Sequence, residues 1–117
     1  MPTPYVTAQG TSGSWYYRKW SDLTYECWRT ITFTVNINTA WSSWYYGTCS
    51  AIAYPVTFTE KPIEVVRLGT TQDWWAVLSP NANNTTSKTA GYAIMRPNSA
   101  TSASHTMDYY VRGKVSS

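Results

Sequence analysis

The sequence has few charged residues, little sulfur and only one imidazole. Charged residues make up 13% of the 117 residues, about half the usual share, and there are one His, two Cys and two Phe. Two cysteines are too few for a disulfide framework, and six Gly with six Pro exclude a collagen-like chain. No apolar run approaches the ~18 residues of a membrane span, and the first residues lack a signal-peptide pattern. We therefore predict neither membrane insertion nor an export signal.

Aromatic residues are abundant instead, with seven Trp and ten Tyr in a chain of one-domain length. This composition excludes intrinsic disorder, which requires few aromatics and a high net charge. The formal net charge is +3, and the nine Lys and Arg are spread from Arg18 to Lys114 rather than gathered in a patch. The sequence therefore does not indicate nucleic-acid binding.

Alternating apolar and polar residues from Thr24 to Asn38 predict one long, half-buried strand whose odd-numbered positions face inward. The run Trp15–Trp20 precedes it across a polar turn, so we predict an antiparallel hairpin. Pro55 lies inside the next run, Ala51–Thr59, and predicts an edge strand or a bulge there. Further strands are predicted at Ala51–Thr59, Ile63–Leu68, Trp74–Ser79, Gly91–Arg96 and Thr106–Val115.

Seven short strands without helical periodicity are typical of a sandwich or a barrel, and we predict an all-β antiparallel β-sandwich of six to seven strands. Residues 14–117 form its single domain, and the Gly/Ser/Thr-rich residues 1–13 are predicted to be a connector. Cys27 and Cys49 are either one disulfide or two buried thiols, and the absence of a secretory context favours the thiols.

The titratable residues are too few and too scattered to predict catalysis. His105 lies in a Ser/Ala/Thr-rich run, and no metal, phosphate-binding or nucleophile motif is present. Glycoside hydrolysis requires two carboxylates, and the candidate pairs are Asp22 with Glu26 and Asp73 with Asp108. Neither pair lies in a motif. We predict a binding protein without enzymatic activity, metal or cofactor.

Consecutive aromatics place large rings on both faces of the predicted strands. One face of each sheet is buried in a sandwich, so the rings on the other face need a second partner, either a sister subunit or a ligand. Aromatic rings with polar edges suit both carbohydrate and protein surfaces. The predicted interface residues are Trp15, Tyr17, Trp28, Trp41, Trp44 and Tyr45.

The segment from Tyr54 to Val65 resembles a pattern of phage tail-fibre tips and of H-type lectin domains, in which an aromatic-Pro-x-x-Phe strand leads to a proline-opened strand. Ala90–Arg96 and Asp108–Gly113 resemble the Gly-aromatic strand and the closing strand of these modules. Residues 10–28 are similar to C-terminal modules of tail and baseplate proteins of phages and prophages. The resemblance spans residues from about 10 to 115.

This resemblance implies an H-type-lectin-like homotrimer that binds carbohydrate on a bacterial cell surface, as part of a virion tail or of a secreted or surface protein of prophage origin. The loops Thr70–Trp75 and Arg96–His105 would then form the sugar site. The ligand-binding residues implied in this way are Gln72, Asp73, Trp74, Trp75, Arg96, Asn98 and His105.

Two other interpretations compete with receptor binding. The second hypothesis is a structural trimerisation or capping domain of a fibre, whose aromatics serve subunit contacts alone. An immunoglobulin-like adhesion module is a third hypothesis, but Cys27 and Cys49 lie closer together than that framework expects.

Overall fold

The computed structural model describes residues 3–68, 76–77 and 84–116, which form an all-β structure of two antiparallel sheets. Both sheets turn one face toward a shared core, so the predicted β-sandwich is confirmed. The described part contains nine strands rather than six or seven. They are β1 (Val6–Ser12), β2 (Trp15–Trp20), β3 (Thr24–Ile37), β4 (Thr39–Trp41), β5 (Trp44–Cys49), β6 (Ile63–Leu68), β7 (Ala76–Val77), β8 (Tyr92–Arg96) and β9 (Ala100–Lys114).

The first sheet has five strands in the order β1-β2-β3-β9-β6, and the second has four in the order β4-β5-β8-β7. The hairpin predicted around Ser21–Leu23 is present, because β2 pairs antiparallel with β3 across this turn. The centre of the first sheet is the pairing of β3 with β9, which runs from Thr24 opposite Lys114 to Ile37 opposite Ala100. Strands β5 and β8 of the second sheet pack against β3.

Strand β3 confirms the predicted alternation. Tyr25, Cys27 and Ile37 are buried on its inner face, whereas Thr30 and Thr32 are exposed on its outer face. Strand β9 follows the same pattern, and its inner face buries the core residues His105, Met107, Tyr109 and Val111. Two long strands with the same alternation therefore present one apolar face to the second sheet and one polar and aromatic face outward.

A close approach between the two sheets occurs at Gly47. A Cβ atom added there would lie 2.4 Å from the carbonyl oxygen of Asn36, so only glycine lets β5 pass this close to β3. The core beneath contains Ile37 and Ile94, both fully buried. Gly47 therefore sets the distance at which the second sheet closes over the first.

Strands β4 and β5 lie where no strand was predicted, and four further segments differ from the sequence-based predictions. Val6–Ser12, expected within a connector, pairs with β2 as strand β1. Ala51–Thr59 is not a strand; a single bridge joins Ala53 to Lys88, and Tyr54 and Phe58 enter the core from irregular backbone. Strand β9 begins at Ala100 rather than Thr106, and of the predicted strand Trp74–Ser79 the structure describes β7 alone.

Cys27 and Cys49 are free thiols buried in the core, which confirms the thiol alternative. Burial raises the pKa of Cys27 to about 12 and that of Cys49 to about 11. Across the described ranges, no helix has the length and apolar character that crossing a membrane requires.

Candidate functional site

Part of the predicted sugar site lies outside the described residues. Gln72, Asp73, Trp74 and Trp75 belong to this group, and their predicted role stays a prediction. Arg96 is half-buried at the end of β8, and Asn98 is exposed in the short connection to β9.

His105 is a core residue rather than a loop residue, which corrects the predicted loop Arg96–His105. It lies inside β9, is 1% exposed and stacks on Phe33 with ring centroids 5.8 Å apart. The Ser, Thr and Ala residues at positions 100–104 carry no apolar signal and so predict a loop, whereas their backbone pairs with β3. In this position, the imidazole does not face solvent where a sugar would bind.

Cys49 and His105 form a buried pair, with Sγ and Nε2 3.3 Å apart. A cysteine nucleophile requires an accessible thiolate of lowered pKa. Burial raises the pKa of Cys49 instead, and both side chains are 1% exposed. We therefore interpret this Cys–His pair as a packing contact of the core.

The predicted interface residues occupy several environments. Trp15 is 3% exposed and donates from Nε1 to the carbonyl oxygen of Ala53 at 3.0 Å, so its ring is buried within the protomer and does not reach a sister subunit. Tyr17 is half-buried and stacks on Tyr25 at 5.4 Å. Trp44 and Tyr45 are half-buried in β5, and the side chain of Trp41 lies outside the described part. Trp28 lies on the outer face of the five-stranded sheet.

The outer face around Trp28 contains a row of apolar side chains that crosses four strands. The strand registers place Tyr16 opposite Trp28, Trp28 opposite Tyr110, and Tyr110 opposite Val65. The rings of Tyr16 and Trp28 are 6.3 Å apart with planes differing by 17°. Tyr16 is 55% exposed and Val65 57% exposed, so this row, which we call the aromatic wall, is open to solvent.

A polar row lies beside the aromatic wall, two residues further along the strands. Thr30, Asp108 and Arg67 stand opposite one another on β3, β9 and β6. The Thr30 hydroxyl donates to Oδ1 of Asp108 at 2.6 Å, and Arg67 donates from Nε to Oδ2 at 2.7 Å. These bonds, together with the charge of Arg67, hold the pKa of Asp108 below its usual range. We call this ionised row the polar wall.

The two walls enclose a trough of about 470 Å³, whose lining is completed by Arg29 and Tyr109. Same-face rows of a strand are about 6.7 Å apart, which leaves space for a small ring between them. One wall offers aromatic surface, and the other offers a carboxylate, a guanidinium and a hydroxyl. Such a mixture of apolar surface and a few convergent polar groups is typical of ligand sites.

The sequence predicts Trp28 as an interface residue and does not place it with the other residues of the trough. The local signal was present, since Trp28 and Thr30 share the even-numbered face of β3, and Asp108 and Tyr110 share one face of β9. The missing information was the pairing of β3 with β9 and of β9 with β6, because strands far apart in sequence have many alternative registers.

The described ranges contain no cluster of three or more His, Cys, Asp or Glu side chains placed to hold a metal ion. No protein-family model, curated protein sequence or solved structure matches this chain.

Proposed function

We propose that this chain is a carbohydrate-binding module without catalytic activity, and that the trough between the aromatic and polar walls is its binding site. The observation that carries the proposal is the parallel placement of the two walls across β2, β3, β9 and β6. A trough volume of about 470 Å³ also lies within the usual range of small-ligand sites.

The chemistry of the walls matches that of a sugar ring. A pyranose has one apolar face of C–H groups and a rim of hydroxyls, so it stacks on an aromatic side chain and forms hydrogen bonds at its edge. Trp28 and Tyr16 provide the stacking surface. Asp108 uses one lone pair on each oxygen for Thr30 and Arg67, and the remaining lone pairs are free to accept bonds from sugar hydroxyls.

Arg67 supplies donors to complement these acceptors. Its side chain is 80% exposed, and only Nε is engaged with Asp108. A guanidinium has five N–H donors, so the other four remain available to hydroxyl or ring oxygens of a ligand. The polar wall thus offers acceptors and donors at adjacent positions, as recognition of a vicinal pair of hydroxyls requires.

The resemblance to tail-fibre tips and H-type lectins supports a bacterial cell-surface glycan as the ligand and a phage tail as the location. It also supports a homotrimer, in which three weak sites on one particle would bind together with high avidity. Within this proposal, the module holds the glycan without changing it.

Exposed apolar side chains on the edge strand β6 favour a second candidate function, structural trimerisation without a ligand. Ile63 is 68% exposed and Val65 is 57% exposed on this edge strand, and exposed apolar side chains of this kind suit subunit contacts. In that case, an Ile63→Asp/Val65→Asp variant would dissociate the trimer in analytical ultracentrifugation, and no glycan would bind to the wild-type protein.

Glycan-array screening, followed by titration of the strongest ligand, tests the proposed function. Tyr16→Ala and Trp28→Ala should each weaken binding at least ten-fold, because each removes stacking surface. Tyr5→Ala is the matched control, since Tyr5 is a similarly exposed tyrosine, 64% exposed, at the other end of β1 from the trough. Equal binding by wild type and both trough variants, or no binding to any glycan, would overturn the proposal.

A further inference from the structure

A row of charged residues borders the aromatic wall on the side away from the polar wall. Arg18 on β2 lies opposite Glu26 on β3, and Glu26 lies opposite Arg112 on β9. These residues share the outer face with Trp28 and are two positions from the aromatic wall along each strand. We call them the basic row, because two of the three are arginines.

The one carboxylate of the basic row is already engaged. Glu26 accepts a hydrogen bond from Nε1 of Trp20 at 2.6 Å and another from the hydroxyl of Tyr110. Burial raises its pKa, but these two hydrogen bonds and the charges of the neighbouring arginines lower the pKa on balance. Glu26 is therefore an ionised group that fixes Trp20 and Tyr110.

The two arginines have no such direct partner. In the described part of the chain, neither guanidinium takes part in a salt bridge or a hydrogen bond to a protein group. Nε of Arg18 is buried without a hydrogen-bond partner, and its guanidinium carbon lies 5.8 Å from the centroid of the Trp28 ring. Arg18 is thus held against the ring on which we propose that the sugar stacks.

The charges of the whole face are unequal. Four cations, Arg18, Arg67, Arg112 and Lys114, face three carboxylates, Asp22, Glu26 and Asp108, and each of these carboxylates already accepts a hydrogen bond within the protein. A planar guanidinium matches a carboxylate or a phosphate in geometry, and it forms bidentate hydrogen bonds with either. One positive charge on this face, beside the aromatic wall, therefore has no matching carboxylate.

On the basis of the proposed function, we infer that the glycan bound in the trough carries an anionic substituent, a carboxylate or a phosphate, which Arg18 and Arg112 bind across the aromatic wall. The sugar ring lies between the walls, and its charged group projects over the wall to the basic row. Arg18 and Arg112 then determine specificity for charged over neutral glycans, whereas Trp28 determines binding of the ring itself.

Matched neutral and charged sugars distinguish binding of the sugar ring from binding of its anionic substituent. Glucose, galactose and mannose would each be titrated as the methyl glycoside, the uronic acid and the 6-phosphate, with binding followed by amide and indole NMR shifts. We expect the charged forms of at least one sugar to bind about ten-fold more tightly than its methyl glycoside. This preference should shrink at high salt, because exposed charges are screened. A uronic acid preference and a 6-phosphate preference identify the carboxylate and the phosphate as the substituent, respectively.

Four variants test which residues bind the ring and which produce the preference for charged sugars. In Arg18→Gln and in Arg112→Gln, the charged sugars should bind no more tightly than the methyl glycoside binds to the same variant. Lys88→Gln removes the same charge from an exposed position outside the trough and should change the binding of neither form. Trp28→Ala should weaken binding of every form at least ten-fold.

Each alternative result is decisive. If all three forms bind alike and depend on Trp28, the anionic substituent is refuted while the proposed function stands. If the charged sugars bind to Trp28→Ala as tightly as to the wild type, binding is by charge alone and the proposed function fails. If none of the sugars binds, the inference is overturned.

Discussion

The Sγ atom of Cys49 lies 3.3 Å from Nε2 of His105 in the core of the sandwich, and both side chains are 1% exposed. The sequence contains one His and two Cys, and this pair combines the His with one of the Cys. In the structure, the pair joins a strand of each sheet, since Cys49 ends β5 and His105 lies in β9. Burial makes the pair a part of the interior.

We predict that neither cysteine reacts with a thiol reagent in the folded protein. Burial raises the pKa of both thiols, so at about pH 8 they are protonated as well as inaccessible. Both should react fully in guanidinium chloride, with the adduct counted by mass spectrometry. Rapid modification of Cys49 in the native protein would contradict the buried pair.

We predict that the protein loses stability at alkaline pH. Burial raises the pKa of Tyr25 and Tyr110 to about 12, above the ordinary value of about 10. The pKa of each tyrosine is higher in the folded protein than in the unfolded chain. Its contribution to the free energy of unfolding is therefore complete below pH ~10 and is lost as the pH rises toward 12. The same direction holds for the other groups with a raised pKa, Cys27, Cys49, Tyr54, Tyr92 and Tyr109.

Urea titrations at several pH values test this prediction. The free energy of unfolding should be nearly constant from about pH 6 to 8 and should fall steeply above pH ~10, where tyrosinate forms in the unfolded chain. A Tyr25→Phe variant removes one of the titrating groups and should show a shallower fall. A stability that is independent of pH up to about 12 would contradict the burial of these hydroxyls.

Glu64 is predicted to be a major source of stability, because it joins β6 to the segment that precedes β8. Its carboxylate accepts hydrogen bonds from the hydroxyl of Tyr54 at 2.7 Å, the hydroxyl of Tyr92 at 2.5 Å and the amide of Ala90 at 3.2 Å. Glu64→Ala leaves all three donors without this acceptor and should cost about 3 kcal/mol. Tyr54→Phe, which removes a single donor, should cost about 1–2 kcal/mol.

Chemical denaturation measures these differences. Glu60→Ala is the control, because Glu60 is exposed and its loss should change stability by less than about 0.5 kcal/mol. If Glu64→Ala proves as stable as this control, the three hydrogen bonds contribute nothing to folding.

Gly47→Ala should destabilise the contact between the sheets. The new Cβ would clash with the backbone of Asn36, and backbone cannot move aside as a flexible side chain can. We expect a loss of about 2 kcal/mol, visible as a lower melting temperature. Gly13→Asn is the matched control. At Gly13, φ is +62° and no atom lies within 4 Å of an added Cβ. Asparagine tolerates that conformation, so we expect a smaller loss of stability.

Strands rich in aromatic or β-branched residues and bounded by turn residues were predictable from sequence. Trp15–Trp20 and Ile63–Leu68 match β2 and β6 in full, because their composition and flanking turns are local signals. The beginning of β9 was missed, because small polar residues provide no apolar pattern. Ala51–Thr59 was wrongly predicted as a strand, because its buried Tyr54 and Phe58 resemble strand residues although their backbone is irregular.

The candidate site was predictable only in its components. The sequence indicated an excess of aromatics on both faces of a strand, and this excess is present around Trp28. It did not indicate that Asp108 and Arg67 would stand beside that ring, because β6, β3 and β9 are adjacent only in the folded sheet.

The sequence by itself determined which side chains of β3 and β9 face inward, because alternation along a strand is a local property with a period of two. The tertiary structure alone decided which outward residues become neighbours. Thr30 and Asp108 are 78 positions apart, and their hydrogen bond exists because burial of the apolar faces of both strands fixes the register between them. A shift of one residue would turn those faces to solvent, so the same burial that forms the core also assembles the trough.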